Sequence, residues 1–175
     1  MTTQNYFRFC PRCRHRLSWR VENRGEPQRQ KCIRCGFTFY NNPVCATEAL
    51  IIRSGKILLV RRAKEPRRGY WDFPGGFIEG RELASKSVIR EISEELGARF
   101  RPNKLIGVYS DIYQWQGRLI PVVILSYSGK LIGSIKPNHE IGQVKWWPVK
   151  KLPTTFAFPH MRQCLIDYAK LPTRL

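Results

Sequence analysis

Apolar and polar positions change period several times along the chain, and each change marks an element. Val44 to Arg53 (VCATEALIIR) is a short, mostly apolar run and reads as a strand. Ser54-Gly55 supplies a tight turn into a second strand, Lys56 to Arg62 (KILLVRR). From about Glu82 to Leu96 the period becomes helical, with Ala84, Val88, Ile89, Ile92 and Leu96 on one arc. Gly97 stands where a left-handed residue would end that helix. Lys104 to Tyr113 and Leu119 to Tyr127 read as strands joined near Gln116-Gly117, and Gln143 to Trp147 as a further short strand. Pro159 opens a last helix, with Met161, Leu165, Ile166 and Ala169 at helical spacing. Strands with intervening helices predict an α/β arrangement with a mixed sheet. Asn41-Asn42-Pro43 marks a turn and the expected boundary between two domains, 1–42 and 43–175. There is no internal repeat and no low-complexity tract.

The polar side of the central helix carries the chemistry. At about 100° per residue, Glu91 and Glu95 lie about 40° apart and Glu94 about 60° to the other side of Glu91. Like charges at this spacing cost a helix a few tenths of a kcal/mol each, whereas carboxylate oxygens are the ligands that a hard divalent cation such as Mg²⁺ takes. Arg90 precedes Glu94 by four residues and is placed to hold a carboxylate. Pro74-Gly75-Gly76 lets a loop lie close to the helix start and to a ligand.

The first 42 residues have a different character. Cys10-Pro-Arg-Cys13 and Cys32-Ile-Arg-Cys35 match the paired C-x2-C spacing of a tetrahedral structural Zn²⁺ site. A segment of about 40 residues rarely builds a sufficient core alone, so a metal would replace one. Two disulfides are the alternative, but nothing marks a secreted protein. Cys45 and Cys164 lie outside the pattern and are expected to be buried small hydrophobes. Arg8, Arg12, Arg14, Arg16, Arg20, Arg24, Arg29, Lys31 and Arg34 face only Glu22 and Glu26 in this segment, with Trp19, Phe37, Phe39 and Tyr40 interleaved. Such a mixture suits single-stranded nucleic acid; a solvated ribbon surface with aromatics packed at the domain junction is the preferred reading.

Composition adds bounds. The 175 residues carry 31 basic and 13 acidic side chains, a formal charge of +18 that favours anionic partners. No apolar run approaches the ~20 residues of a membrane span, and the N-terminus lacks the apolar core of a secretory signal, so the expected compartment is the cytoplasm.

Residues 76–98, GFIEGRELASKSVIREISEELGA, fit the pattern G-x5-E-x7-R-E-U-x-E-E-x-G-U, where U is a bulky apolar residue, with Ala98 the one mild departure. This is the Nudix box, and the chain resembles a Nudix hydrolase. The GKILLVRR strand, the WDFPGG entry and the segment Trp147-Pro148 through Leu152-Pro153 extend the resemblance over most of residues 43–170. It implies a mixed sheet between helices, here preceded by a small zinc ribbon, and hydrolysis of the pyrophosphate bond of a nucleoside diphosphate linked to another moiety. It implies Mg²⁺ or Mn²⁺ held by Glu91, Glu94, Glu95 and the Gly76 carbonyl, with Glu91 also a candidate base and Glu140 a further loop carboxylate. His139 beside it is a weaker candidate base. Arg61, Arg62, Arg67 and Arg68 are candidates for phosphate oxygens. Tyr113, with Tyr109 and Trp115, is a candidate for stacking on a base or flavin. Ribbon-bearing relatives include NADH pyrophosphatases, but their S-Q-P-W-P-F-P-x-S stretch is absent, the chain reading IGVYSDIYQWQGRLIPVV there. The size, the ribbon and Phe156-Ala157-Phe158 resemble FAD or ADP-ribose pyrophosphatases. The expected partner is a small nucleotide, with a homodimer also admitted; nucleic acid ranks behind, as a ribbon ligand or as an RNA 5′ end to be hydrolysed.

Overall fold

The computed structural model describes residues 7–171. These fall into two compact units, one reaching to Asn42 and grouping with Gln116–Arg118, the other formed by the remainder from Pro43 onward.

The first unit is built on two equivalent turns. Cys10 N–H donates to His15 O and Arg14 N–H to Cys10 O; in the second turn Cys32 N–H donates to Phe37 O and Gly36 N–H to Cys32 O. Arg14 and Gly36 occupy the same place, and both have left-handed backbones, φ 60° and 73°. A three-stranded sheet joins the turns: β1 (Ser18–Arg20), β2 (Arg29–Lys31) and β3 (Thr38–Phe39). Cys10, Leu17 and Cys32 form the small interior. The Sγ atoms of Cys10, Cys13, Cys32 and Cys35 all lie within 4.8 Å of one another. Cys10 to Cys35 is 3.6 Å and Cys13 to Cys32 is 3.4 Å. Four sulfurs about 2.3 Å from one central ion would stand about 3.8 Å apart, so the cluster fits a zinc ribbon.

In the second unit the strands are β4 (Val44–Arg53), β5 (Lys56–Arg62), β6 (Trp71–Asp72), β7 (Gly75–Phe77), β8 (Arg99–Trp115), β9 (Arg118–Ile132) and β10 (Ile141–Pro148). The helices are α1 (Ala84–Leu96) and α2 (His160–Lys170). The sheet runs β10-β5-β4-β9-β8 and is mixed, since β4 pairs parallel with β9 and antiparallel with β5 and β7. Strand alternation divides the core between two faces. Ala49, Ile51, Leu58 and Val60 pack with Val88, Ile92 and Leu96 of α1. Leu50, Ile57 and Leu59 pack with Met161 and Cys164 of α2. The sheet is thus held between helices, as the resemblance implies. None of the helices among the described residues is long and apolar enough to cross a membrane.

Several elements depart from the sequence reading. The helix begins at Ala84, two residues late, because the Glu82 carboxylate accepts from Arg90 and the backbone N–H of Glu79 and leaves the chain in a loop. Strands β8 and β9 run well past the expected limits. Their extensions, such as Arg99–Asn103 and Ser128–Ile132, expose basic side chains that mask the alternation. The Gly75-Gly76 loop is a strand, pairing Thr47 with Gly76 and Glu48 with Gly75. Cys164 is buried as expected, but Cys45 is exposed, because the first two residues of β4 precede its packed stretch.

Candidate active site

Along one edge of β4, β7 and then β5 take up successive partners: Ala46 to Glu48 pair with β7, Ile52 and Arg53 with β5. Strand β6 lies on β5, with Asp72 opposite Val60. A cavity of about 370 Å³ opens where β4, β6, β7, β8 and α1 meet. Eight of the chain's thirteen acidic residues line it: Glu48, Asp72, Glu79, Glu91, Glu94, Glu95, Asp111 and Glu140. Their cationic neighbours in the lining are Arg62, Arg90 and His160. A chain of formal charge +18 therefore gathers most of its negative charge in one place.

Helix α1 presents the acidic wall because its apolar face is fixed. Ile92 and Leu96 are fully buried, and Ser87 accepts a hydrogen bond from Thr47 Oγ1 at 3.1 Å. Arg90 ties the wall together. Its Nε and Nη2 donate to Glu82 at 3.0 and 2.9 Å, Nη1 to Glu91 at 2.9 Å and Glu94 at 3.1 Å, and Nη2 also to Phe77 O at 3.0 Å. The hydrogen bonds to Arg90 hold the Glu82 carboxyl below its ordinary range. Glu95 Oε2 accepts the Gly75 N–H at 2.9 Å, yet desolvation, with the nearby charges of Asp72 and Glu91, pushes its carboxyl up to about 8. Desolvation also raises Glu91. Gly75 is sterically required, because it lies against backbone, while Gly76 lies against the Glu91 carboxylate. A Cβ on Gly75 would stand 2.2 Å from Thr47 O, and one on Gly76 would stand 2.5 Å from the Glu91 carboxyl carbon.

A second buried network reaches the same cavity. Arg62 Nη1 donates to Asp72 at 2.9 Å, and its Nη2 lies 3.3 Å from the Tyr113 hydroxyl. Burial outweighs the Arg62 charge and raises Asp72 to about 6. His160 Nε2 stands 3.0 Å from Glu48, and Nδ1 3.0 Å from Asp111. Glu48 also accepts from Ser126 Oγ. Ionised carboxylates only accept, so an imidazole serving two of them carries both protons. Burial opposes that charge, but the bonds to Glu48 and Asp111 prevail and push His160 up to about 9.

The candidates chosen from sequence are divided by this geometry. Gly76, Arg90, Glu91, Glu94, Glu95, Glu140, Arg62 and Tyr113 all line the cavity. Arg61, Arg67 and Arg68 do not: Arg61 donates to Gly69 O at 2.9 Å, Arg67 lies over the Tyr70 ring, and Arg68 is exposed. Glu140 is ion-paired with Lys64 at 2.6 Å, which holds its carboxyl below the ordinary range, while His139 is exposed beside them. Tyr109 packs within the α2 core cluster and stacks on His160, and Trp115 is exposed away from the cavity lining. Glu48, Asp72, Glu79, Asp111 and His160 were not foreseen. Glu48 and Asp72 did carry a signal, a carboxylate inside an apolar strand and one between Trp71 and Phe73, where an acid is costly unless it has a partner.

These shifts have one sign in the neutral and alkaline range. The burial penalty on Asp72 and Glu95 is absent below the ordinary carboxylate range and grows as pH rises through about 6 and about 8. The His160 imidazolium stabilises the fold fully below the ordinary histidine value and loses that contribution as pH rises through about 9. Without divalent ions, Tm is expected to fall from about pH 6 to about pH 9, and His160→Gln should flatten the upper part of that fall. Scanning calorimetry at fixed ionic strength checks this, and a Tm that rose across the range would contradict it.

Comparison with known proteins agrees with the geometry. The NUDIX domain profile matches residues 45–168. An ADP-ribose pyrophosphatase of Methanocaldococcus jannaschii is 32% identical over 77% of this chain and 78% of its own. An NAD-capped RNA hydrolase of Chromobacterium violaceum is 27% identical over 83% of this chain, which spans about half (52%) of that longer protein. The crystal structure of a NUDIX hydrolase from Nitrosomonas europaea superposes with a TM-score of 0.78, covering 94% of this chain and 92% of the other at 27% identity. The chain belongs to the Nudix family and is a Nudix-type pyrophosphohydrolase.

Proposed function

We propose that the protein hydrolyses, with Mg²⁺ or Mn²⁺, the pyrophosphate bond of a nucleoside diphosphate linked to a second moiety, with ADP-ribose, FAD and related dinucleotides or nucleotide sugars as the substrate class. The observation that carries this reading is the gathering of eight acidic side chains at one cavity of a strongly basic chain. Crowded, desolvated carboxylates such as Glu91 and Glu95 resist ionisation, and oxygen donors of this kind suit a hard divalent cation. Glu91, Glu94, Glu95 and the Gly76 carbonyl would hold the ions. When bound, such ions neutralise charge growing on phosphate oxygens and make water a better nucleophile. Arg90 holds Glu91 and Glu94 in place, and Glu91 is the proposed proton acceptor from water. Glu140, held at the cavity edge by Lys64, is the further carboxylate. Arg62 is proposed to face the phosphates, with Tyr113 and Phe158, stacked with ring centroids 5.9 Å apart, offering an aromatic wall to the rest of the substrate. The relative that acts on ADP-ribose supports this substrate class, and the cytoplasm remains the expected compartment.

A hydrolysis screen with Mg²⁺ or Mn²⁺ over ADP-ribose, FAD, NADH, dinucleoside polyphosphates and capped RNA tests the proposal. Turnover is expected on ADP-ribose or FAD, releasing a nucleoside monophosphate and the phosphorylated second moiety. Glu94→Gln and Glu95→Gln should each lower kcat by orders of magnitude while the far-ultraviolet dichroism is retained. A near-native rate for either variant at saturating Mg²⁺ would remove that residue from the ligand set. Turnover of none of the small pyrophosphates would overturn the substrate class.

For the first unit we propose zinc at Cys10, Cys13, Cys32 and Cys35. About one zinc per chain should survive extensive dialysis. Because structural zinc supplies folding free energy, Cys13→Ser should lose it and loosen the first 40 residues most, as read by hydrogen exchange. Two disulfides and no zinc would contradict the assignment.

A further inference from the structure

We propose that the end of the ribbon formed by its two cysteine turns binds single-stranded nucleic acid, with Arg8, Arg12, Arg14 and Arg34 on phosphates and Phe9 as a stacking platform for a base. The sequence alone favoured a solvated surface with packed aromatics. Three structural observations reverse that preference.

The first is charge distribution. Glu22 and Glu26, the ribbon's two acids, are already ion-paired with Lys31 and Arg29. No acidic residue occurs in 7–21 or 32–42. Arg8, Arg12, Arg14, Arg16 and Arg34 are exposed and make no ion pair among the described residues. Four thiolates with one divalent ion would carry about −2, which five guanidinium groups exceed. The second is placement. Arg12 and Arg34 each stand immediately before the second cysteine of a turn, and the four sulfurs converge within 4.8 Å, so the two backbone positions that carry these arginines are brought to the same end of the ribbon. The third is apolar exposure. Phe9 is 53% exposed with the Arg8 guanidinium 5.7 Å from its ring centre, and Ile33, beside Arg34, is 69% exposed. An exposed aromatic beside an arginine, on a surface rich in further arginines, is how a sequence-tolerant single-strand site is made.

The residue type supports the partner. Through residue 42 the ribbon uses eight arginines and one lysine. A planar guanidinium binds phosphate by a fork of hydrogen bonds and stacks on bases, whereas a solubilising surface has no need of that fork. A ring half exposed to solvent fits an unstacked base rather than a duplex, and no helix occurs among the ribbon's described residues to enter a groove. This inference does not rest on the substrate proposed for the Nudix unit, since hydrolysis of a small nucleotide needs no second anion site.

The test uses the full-length, zinc-loaded protein and a fluorescein-labelled oligouridine of about 12 nucleotides, followed by anisotropy across a salt series. Arg12→Gln with Arg34→Gln should weaken binding tenfold or more and flatten the log–log salt slope by about 1.4, at about 0.7 per lost phosphate contact. Phe9→Ala should weaken it with the slope unchanged. Lys150→Gln with Lys151→Gln removes the same charge from the other unit and should leave the affinity within about twofold. ADP-ribose hydrolysis should be unaffected by all three. If the arginine pair proves to lose zinc, Arg8→Gln and Phe9→Ala carry the test. Equal weakening by the lysine pair would reduce the effect to general charge and overturn the site. So would equally tight binding of polyglutamate or anionic vesicles, or a wild-type protein with no salt-sensitive affinity for the oligonucleotide.

Discussion

Burial of carboxylates against one another is the constraint around which the second unit is organised. Glu95 and Asp72 both titrate above their ordinary range because water is scarce around them, and neighbouring carboxylates add to the cost: the charges of Asp72 and Glu91 for Glu95, that of Glu48 for Asp72. A fold does not keep such groups together for stability, since ions without full compensation in a desolvated site are destabilising. Arg90 and Arg62 offset part of the repulsion, each from within a web of two or more partners. The remainder is a standing preference for a cation, and the chemistry proposed for the cavity follows from it.

The rest of the fold supplies the rigidity that this arrangement needs. Alternation along β4 and β5 sends one set of side chains to α1 and the other to α2, so the two helices are fixed by opposite faces of the same strands. The acidic arc of α1 is then the arc that cannot turn into the core. Gly75 lets β7 lie against β4 at a distance no side chain would permit, and Gly76 brings the strand close to the Glu91 carboxylate on that arc. Helix α2 enters the site only at its first residue, His160, whose two carboxylate partners come from β4 and β8.

Much of this was legible in the sequence where a single element carries its own period. Strands Val44–Arg53 and Lys56–Arg62 and the Gly97 cap follow directly from local pattern and turn chemistry. The acidic face of α1 was equally readable, because Arg90, Glu91, Glu94 and Glu95 are neighbours in sequence and in space. What escaped was everything made by distant strands meeting. Glu48, Asp111 and His160 are far apart in the chain and acquire their role only when β4, β8 and α2 converge. Arg61 and Arg62 show the same limit on a smaller scale: adjacent residues on a strand face opposite ways, and only Arg62 turns to the cavity. Local composition near the box could not tell them apart.

The central claim is that the crowded carboxylates on α1, with the buried Glu95 pushed up to about 8, are the site that a divalent ion occupies. Its most direct measurement is the proton release that accompanies Mg²⁺ binding, obtained by isothermal titration in buffers of different ionisation enthalpy. With Glu95 near 8 in the free protein, binding at about pH 7 should release most of one proton, and binding at about pH 9 almost none. Glu95→Gln should abolish the release together with most of the affinity. Mg²⁺ binding that released no proton at about pH 7, or that was untouched by Glu95→Gln, would contradict the account.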